Sequence, residues 1–494
     1  MRRFVLTLAT AALVLSAGGH ARSDGAKAAK APELDAAIRA LVRDRTFSNA
    51  QIGIVIMDAD SGEVLAQHGE HAVLNPASNA KCYTAAAALS ILKGSHRYHT
   101  TLAGKVNGNG IANMVLKGQG DPSLQTEDLY GLVVELKAHG IRRVDGDLLV
   151  DQRYFDEQTT PPAFEQQPNE WAAFRAPVSA VALNANTITL MIRPTTQGQA
   201  ATSWFDPPGF VNVEGSVKTG DDGADSVGLS LEGSADKRMN AKLSGTIGGD
   251  AKLVRYTRRV EDPRLLAGYA LKAILEETGV KVGGEVKLGS ADKQDKPVTI
   301  ARHESSPLST LLYALGKSSD NFYAEMVFKT ISAEAKRPGK SADAADAVAS
   351  WVTKNDLGDT GVVIKNGSGL FDSNRTTAFS VAKLLRHAWQ DPAIKSEFVA
   401  QLAIGGVDGT LHKRFGALGR SHRAIRAKTG TLDDAIALSG YVLGPPGKST
   451  IAFSILFNKV SGHGASARSA ADKLVELVHE RQWESGSGSG EKKK

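Results

Sequence analysis

The spacing of apolar and polar residues along the first hundred positions predicts a helix, a hairpin and a second helix. Residues 34–44 (LDAAIRALVRD) carry apolar side chains at helical spacing. Residues 51–71 then alternate as two strands around the Asp60-Ser61-Gly62 turn. A helix rich in Ala and Leu (KCYTAAAALSIL) follows from residue 81. The segment just before that helix is therefore a strand-to-helix junction.

The pattern changes at about residue 98. A hairpin with Asn-Gly turns is predicted over 100–124, followed by a helix (LYGLVVELKAHGI) and a strand (VDGDLLVD). Residues 191–261 are rich in Gly, Asp and Ser with short alternating runs, which predicts a small β-rich module. A helix over 262–280 restores a mixed α/β pattern. After about residue 306 the chain is helical again, and it ends in three strands and a final helix.

Both ends of the chain lie outside this folded pattern. Residues 1–21 combine two arginines, an apolar run and a small-residue cleavage site, which predicts a secretory signal peptide. A membrane anchor is the competing interpretation, but the run is shorter than ~20 residues and no stop-transfer pattern follows. We therefore expect export and no transmembrane anchor after cleavage. Residues 485–494 are Gly-, Ser- and Lys-rich, which predicts a flexible tail.

Composition narrows the class of protein. The 494 residues are 42% hydrophobic and 23% charged, as in ordinary soluble proteins, and this length predicts two or three domains. Cys82 is the only cysteine, so no intramolecular disulfide can form, and its apolar helix favours a packing role. The net charge of +6 is compatible with attraction to an anionic envelope polymer. Without a Lys/Arg cluster interleaved with aromatics, no nucleic-acid partner is expected.

The glycine-rich and histidine-rich stretches do not predict a cofactor or a metal. GQGDPS and NGSGLF lack both the strand–GxGxxG–helix context and a Walker lysine. HGEH at 68–71 is too closely spaced for two metal-binding histidines on one helix face. We expect neither a metal ion nor a cofactor.

Three short motifs carry the chemistry. They are Ser78-x-x-Lys81, Ser319-Asp320-Asn321 and Lys428-Thr429-Gly430-Thr431. Each one alone is weak evidence, and Ser78 by itself would more often be a helix cap. In this order, and each in a fitting local structure, they form the signature of penicillin-binding proteins and serine β-lactamases. Ser78 is therefore predicted to be a nucleophile.

The reaction explains these residue types. Residues i and i+3 share a helix face, so the Lys81 amine can reach the Ser78 hydroxyl and take its proton. Lys81 can act as a base only if its pKa falls, which burial, the positive end of the helix and the charge of Lys428 all favour. Ser319 and Asn321 would complete the proton relay and position the substrate.

The third motif is suited to binding a peptide. A strand edge pairs with an extended substrate, and Gly430 allows close approach. The backbone N–H groups of Ser78 and Thr431 would form an oxyanion hole. Lys428, Thr429 and Thr431 would hold a substrate carboxylate.

Beyond these motifs, the chain resembles the low-molecular-mass class C penicillin-binding proteins, the D-alanyl-D-alanine carboxypeptidase/endopeptidase family. The resemblance covers nearly the whole mature chain and includes GQGDPSL (118–124), FRAPVSAVALNANT (174–187), NGSGL (366–370) and GVDGTLHKR (406–414). It implies a serine peptidase that cleaves D-Ala–D-Ala bonds of peptidoglycan stem peptides in the periplasm and is acylated by β-lactam antibiotics. No cofactor is implied.

The resemblance also implies an α/β (α+β) fold in three parts. A penicillin-binding/serine β-lactamase-like catalytic domain would comprise residues 30–97 and 306–484. A second domain (98–190 and 262–305) would be inserted in it. A small β-rich third domain (191–261) would in turn be inserted in the second. The long separation of Ser78 from Ser319, more than twice that of Ser319 from Lys428, agrees with insertions there.

The side-chain pocket departs from the family pattern. Family members that bind a diaminopimelate side chain tend to have an Asp five residues before the aromatic residue that matches Phe174, and an Arg after the GSGLS motif. Here Asn169 and Asp372 occupy those places. Arg375 or Glu170 are candidates to substitute. The reaction does not depend on this pocket, but the preferred stem peptide does.

Two alternatives remain open at this point. A serine β-lactamase shares the motifs, although no E-P-x-x-N-type loop is present and the insertion is atypical. A non-catalytic wall-binding protein with a relic site would be expected to have lost one of the motif residues.

Overall fold

The computed structural model describes residues 31–290, 292 and 297–483. The predicted signal peptide and C-terminal tail lie outside these ranges. The helices of the described residues are α1 (Pro32–Arg43), α2 (Ala80–Leu92), α3 (Thr126–Ala138), α4 (Leu266–Glu277), α5 (Leu308–Gly316), α6 (Asn321–Ala335), α7 (Ser341–Lys354), α8 (Ala378–Gln390), α9 (Lys395–Gln401) and α10 (Gly464–Trp483).

The strands are numbered in chain order as well. They are β1 (Gln51–Asp58), β2 (Val64–His68), β3 (His99–Asn107), β4 (Gly110–Gly118), β5 (Arg143–Val144), β6 (Leu148–Asp151), β7 (Thr187–Arg193), β8 (Thr202–Asp206), β9 (Val211–Gly215), β10 (Lys218–Gly220), β11 (Gly228–Gly233), β12 (Met239–Ser244), β13 (Thr246–Gly248), β14 (Val254–Arg259), β15 (Lys281–Val282), β16 (Val286–Leu288), β17 (Val298–Glu304), β18 (Ala403–Ile404), β19 (Ile425–Thr431), β20 (Ala435–Val442) and β21 (Ile451–Asn458).

The sheet that carries the third motif is antiparallel and has the order β18-β19-β20-β21-β1-β2. Strand β1 pairs along its whole length with β21, Gln51 opposite Asn458 and Asp58 opposite Ile451. The two ends of the described chain thus form one sheet. Side chains of β1 alternate between the two faces, as the period of a strand requires. Ile54 and Ile56 pack with α1 and α10, whereas Val55 and Met57 face α8.

Helix α2 lies in the centre of the helical layer. Every residue from Ala80 to Leu89 is buried, which fits a helix that is apolar around most of its circumference. It packs in one core with α5, α6, α7, α8 and α9. Cys82 belongs to this core, and burial raises the pKa of its thiol to about 12, so the predicted packing role is confirmed.

A second sheet lies between the two segments of the first along the chain. Its order is β15-β5-β4-β3-β17, and β6 pairs with both β4 and β16. Helices α3 and α4 cover it and share its apolar core. Three smaller sheets follow: β14-β7-β8, β11-β12-β9 and β10-β13. The predicted boundary at 190/191 falls inside β7, but the division into domains stays a prediction.

Most predicted elements are present. The hairpins of β1 with β2 and of β3 with β4, the helix after Ser78 and the three C-terminal strands all form, so the mixed α/β class is confirmed. The helical stretch after residue 306 is broken. Helix α5 ends at Gly316 and α6 begins at Asn321, where the Asp320 carboxylate accepts a hydrogen bond from the Tyr323 N–H at 3.0 Å. This break carries the second motif.

Candidate active site

Ser78 and Lys81 lie at the N-terminal end of the central helix. Ser78 is in a 3₁₀ turn (Ala77–Asn79) that leads directly into α2. The Lys81 Nζ donates to Ser78 Oγ at 2.9 Å, to Asn321 Oδ1 at 2.7 Å and to the Ser368 carbonyl at 2.7 Å. An ammonium has three N–H donors, and these three acceptors use all of them. After loss of one proton, the Lys81 amine keeps two donors and offers its lone pair to the serine hydroxyl.

The surroundings of Lys81 favour that neutral form. Its side chain is completely buried, and burial followed by the charge of Lys428 lowers its pKa well below the ordinary value. The carboxylates of Glu325 and Asp320 act in the opposite direction, but neither forms a hydrogen bond with the amine. The predicted shift of the lysine pKa therefore has the expected causes.

Lys428 forms the other half of the site. Its Nζ donates to Ser319 Oγ at 2.7 Å and to the Thr429 carbonyl at 2.9 Å. The side chain is 1% exposed, and burial lowers its pKa to about 7. The site thus contains two buried amines, Lys81 and Lys428, each hydrogen-bonded to a hydroxyl that can carry a proton.

The break between α5 and α6 presents Ser319 and Asn321 to the two amines. Ser319 has φ of 60°, a left-handed conformation that costs energy for a non-glycine residue and is often found at functional sites. Asn321 is the first residue of α6, and its amide Nδ2 donates to the Phe174 carbonyl at 3.0 Å. The long loop before β7 is thereby tied to the catalytic cleft.

Two glycines allow other segments to approach Ser78. A Cβ on Gly430 would lie 2.9 Å from the Pro76 carbonyl oxygen and 3.1 Å from the Ala77 Cβ. A Cβ on Gly369, which has φ of 73°, would lie 1.9 Å from the Ala77 carbonyl oxygen. The Lys-Thr-Gly strand and the 366–370 loop are therefore packed directly against the turn that holds the serine. The close approach of a substrate that the sequence predicts at Gly430 stays a prediction.

Sequence reasoning missed the residues that hold the 366–370 loop. The buried carboxylate of Glu325 accepts N–H bonds from Gly367 at 3.1 Å and from Ser368 at 2.8 Å. Since the Ser368 carbonyl accepts from Lys81, Glu325 positions the amine through this loop. A signal was present: Glu325 follows Asn321 by four residues on α6, so both lie on one helix face within an otherwise apolar pattern.

The remaining predicted binding residues lie around the cleft. The Thr429 hydroxyl donates to Thr410 Oγ1 at 2.8 Å, and Thr431 is exposed at the end of β19. Phe174 is 46% exposed on the loop that Asn321 anchors. Asp372 accepts from the Asn75 amide at 3.2 Å, three residues before Ser78, which brings it to the edge of the cleft.

The side-chain pocket has its own ion pair. Arg375 Nη1 lies 2.6 Å from Asp372 Oδ1, and this pairing lowers the pKa of Asp372. Glu170 instead accepts the N–H of Ala172 at 2.7 Å, and Asn169 is exposed. Asp372 is thus neutralised by a cation from its own loop.

Comparisons with known proteins identify the family of the chain. A sequence profile of the D-Ala-D-Ala carboxypeptidase 3 (S13) family matches residues 34–481. The chain belongs to this family. It is 32% identical over 454 residues to the D-alanyl-D-alanine carboxypeptidase of Actinomadura sp. (strain R39), covering 88% of this chain and 83% of that one. Against the D-alanyl-D-alanine carboxypeptidase DacB of Haemophilus influenzae the identity is 24%, with coverage of 87% and 89%.

Solved structures show the same fold. The crystal structure of penicillin-binding protein 4 (dacB) from Haemophilus influenzae superimposes with a TM-score of 0.72 at 23% identity, covering 87% of this chain and 96% of that chain. Its complex with a novel β-lactam gives a TM-score of 0.68 at 23% identity, with coverage of 88% and 96%. The predicted family and fold are therefore confirmed, and this member of the S13 family is a serine-type D-Ala-D-Ala carboxypeptidase.

Proposed function

We propose that Ser78 is the nucleophile of this DD-peptidase and that Lys81 is its general base. The observation that carries the proposal is the completely buried Lys81 amine, 2.9 Å from Ser78 Oγ and without a carboxylate partner. Lys81 Nζ takes the hydroxyl proton while Oγ forms a bond to the carbonyl carbon of the penultimate D-Ala. The developing oxyanion is stabilised by the backbone N–H groups of Ser78 and Thr431.

The second half of the reaction needs a proton on the leaving amine. The Ser319 hydroxyl, 2.7 Å from Lys428, passes its proton to the nitrogen as the C–N bond breaks. The proton that Lys81 took from Ser78 replaces it on Ser319, so the Lys81 amine is neutral again. D-Ala, or the amine of a crosslinked stem, then leaves. Water attacks the acyl-enzyme ester, and one of its protons goes to the Lys81 amine. Lys81 then gives this proton to Ser78 Oγ as the ester C–O bond breaks, which restores the Ser78 hydroxyl and the neutral amine.

The proposed substrates are peptidoglycan stem peptides with a D-Ala–D-Ala end and crosslinks between such stems. The exposed edge at Thr431 and the Thr429 hydroxyl are suited to an extended peptide and its carboxylate. β-Lactam antibiotics would acylate Ser78 in the same way, and a β-lactam is present in one crystal structure of the Haemophilus influenzae relative. Opening the ring breaks the same kind of amide bond, but the leaving nitrogen stays attached.

The site of action we propose is the periplasm, in keeping with the predicted signal peptide. No helix of the described residues has both the length and the apolar character needed to cross a membrane. For the stem peptide itself, we propose that Phe174, Asp372 and Arg375 contact the side chain of its third residue. With Asp372 neutralised by Arg375, this pocket would favour a side chain without a strong net charge.

The test is a time course of intact mass for the mature protein with benzylpenicillin, with the drug followed in parallel. We expect a lasting adduct that Ser78→Ala lacks. Drug consumption without a lasting adduct would instead identify a β-lactamase. Untouched drug and no adduct would identify a wall-binding protein with a relic site.

A further inference from the structure

A large cavity adjoins the Lys-Thr-Gly-Thr strand. Its volume is about 610 Å³, and its walls include Thr429, Thr431, the 409–414 loop and the start of α10. Pockets of roughly 300–1,000 Å³ hold drug-sized ligands, so this cavity is much larger than a single leaving D-Ala requires. Because Thr429 and Thr431 line it, the cavity is continuous with the strand proposed to bind the substrate.

The ionisable side chains that line this cavity are all basic. His412, Arg414 and Arg468 line it, and the described residues of its lining include no Asp or Glu. The charge of Arg414 is balanced by Asp472, since the guanidinium donates to both carboxylate oxygens of that residue. The Arg468 guanidinium is exposed and makes no ion pair or hydrogen bond with another described residue. Arg468 is thus free to bind an anion.

The 409–414 loop, which forms part of the cavity wall, is fixed in place before any ligand binds. The Thr410 N–H donates to the Lys317 carbonyl at 3.0 Å, and the Thr410 hydroxyl accepts from Thr429 at 2.8 Å. A Cβ on Gly409, which has φ of 54°, would lie 2.4 Å from the Lys317 carbonyl oxygen. The 409–414 loop is therefore held both by the backbone at Lys317, two residues before Ser319, and by Thr429 of the third motif, so the cavity is preformed.

We propose that this cavity binds the carboxylate-bearing leaving strand of a peptidoglycan crosslink, with Arg468 as the residue that selects it. This inference rests on the proposed function. In carboxypeptidase action the leaving group is one D-Ala, whose single carboxylate is bound by Thr429 and Thr431. In endopeptidase action the leaving group is a whole stem peptide with further carboxylates, which need both the additional volume and an unpaired cation.

The experiment compares two substrates of one enzyme. Hydrolysis of a monomeric disaccharide-pentapeptide and of a crosslinked disaccharide-tetrapeptide dimer is measured for the unaltered chain and for Arg468→Glu, Arg468→Lys and Lys473→Glu. Lys473 is exposed on the same helix but lines a different groove, against α1, so it is a matched charge-reversal control. The acylation rate with benzylpenicillin and the melting temperature report whether each variant is folded and active.

We expect Arg468→Glu to lower kcat/KM for the dimer about tenfold, mainly through KM, with less than about a twofold change for the pentapeptide and for acylation. Arg468→Lys should retain most of the dimer activity, and Lys473→Glu should retain all of it. Added salt should reduce the difference in dimer activity between the unaltered chain and Arg468→Glu, because salt screens exposed charges. Equal losses on both substrates, or no loss on the dimer, would overturn the assignment. An enzyme that is acylated and cleaves the pentapeptide but not the dimer would overturn it too, leaving the proposed function intact. Absence of any Ser78 acylation would instead refute the proposed function.

Discussion

Lys81 on α2 and Lys329 on α6 are both buried lysines of the same helical layer, but their amines have different hydrogen-bond partners. Lys81 and Lys329 are 0% and 1% exposed. Lys81 donates only to a hydroxyl, an amide oxygen and a carbonyl. Lys329 lies 2.5 Å from the Asp156 carboxylate and also donates to the Gln158 carbonyl at 2.7 Å. The difference lies in the partner rather than in the depth of burial.

That difference decides what each lysine can do. Burial lowers the pKa of both amines, but at Lys329 the hydrogen bond and the charge of Asp156 counteract it. At Lys81 the nearby cation Lys428 adds to the effect of burial. A buried amine with a carboxylate partner stays an ion and ties two segments together, whereas one with only neutral partners becomes available as a base.

The largest expected effect comes from removing the amine of Lys81. Lys81→Met and Lys81→Arg should each lower the second-order rate constant for benzylpenicillin acylation about a thousandfold. Methionine has no basic nitrogen, and a guanidinium does not give up its proton at neutral pH. Stopped-flow acylation measures the rate, and chemical denaturation should show little loss of stability. A near-normal rate in Lys81→Arg would show that another group is the base.

Removing the amine of Lys329 should lower the stability of the protein and leave the acylation rate nearly unchanged. Lys329→Met leaves Asp156 without its cation and should lower the free energy of unfolding by about 3 kcal/mol, with acylation changed less than about threefold. Denaturant unfolding and the acylation assay give both numbers. Asp156→Asn is the paired control, and the double variant should lose less than the sum of the two. Acylation that falls without a loss of stability would move Lys329 into the proton relay.

The pH dependence of stability tests Lys428. Its pKa is about 7 in the folded protein and near 10.5 in the unfolded chain, so the unfolded state binds more protons at this site between those values. The free energy of unfolding should therefore rise with pH in that window, by about 1 kcal/mol per pH unit relative to Lys428→Met. Denaturant unfolding of both proteins at pH 7, 8 and 9 measures the difference. A difference that is constant with pH would mean that Lys428 stays charged.

The smallest effect is expected from Glu325→Gln. The Gly367 and Ser368 N–H groups donate to different oxygens of Glu325, and in glutamine one of these oxygens is replaced by an NH2 group that cannot accept. The loop that orients Lys81 should therefore loosen and acylation fall about tenfold. Loss of the negative charge also removes a cause that raises the Lys81 pKa. The acidic limb of the acylation rate should therefore move to lower pH, because a more acidic solution is needed before the Lys81 amine is protonated. A slower rate with an unmoved limb would show that Glu325 acts through the loop alone.

The local parts of this site could be predicted because the chain encodes them at short range. The spacing of Ser78 and Lys81, the strand of the third motif and the helix that Asp320 caps depend on neighbours within a few residues. The family resemblance added the order of these parts. The role of Glu325 was missed because its partners, Gly367 and Ser368, come from a loop that only the fold brings to α6.

By itself, the sequence determined the reacting groups, the mixed α/β class and the family, since these depend on residue identity, local periodicity and motif order. Only the tertiary structure decided the surroundings of each buried amine, on which its pKa depends. The Ser-x-x-Lys spacing distinguishes Lys81 from Lys329, but the apolar helix patterns around the two lysines do not show which amine has a carboxylate partner. The partners do: Ser368 is 287 residues from Lys81 in the chain, and Gln158 is 171 from Lys329. A pKa is set by burial and by charges in space, and those are fixed only when distant segments pack together.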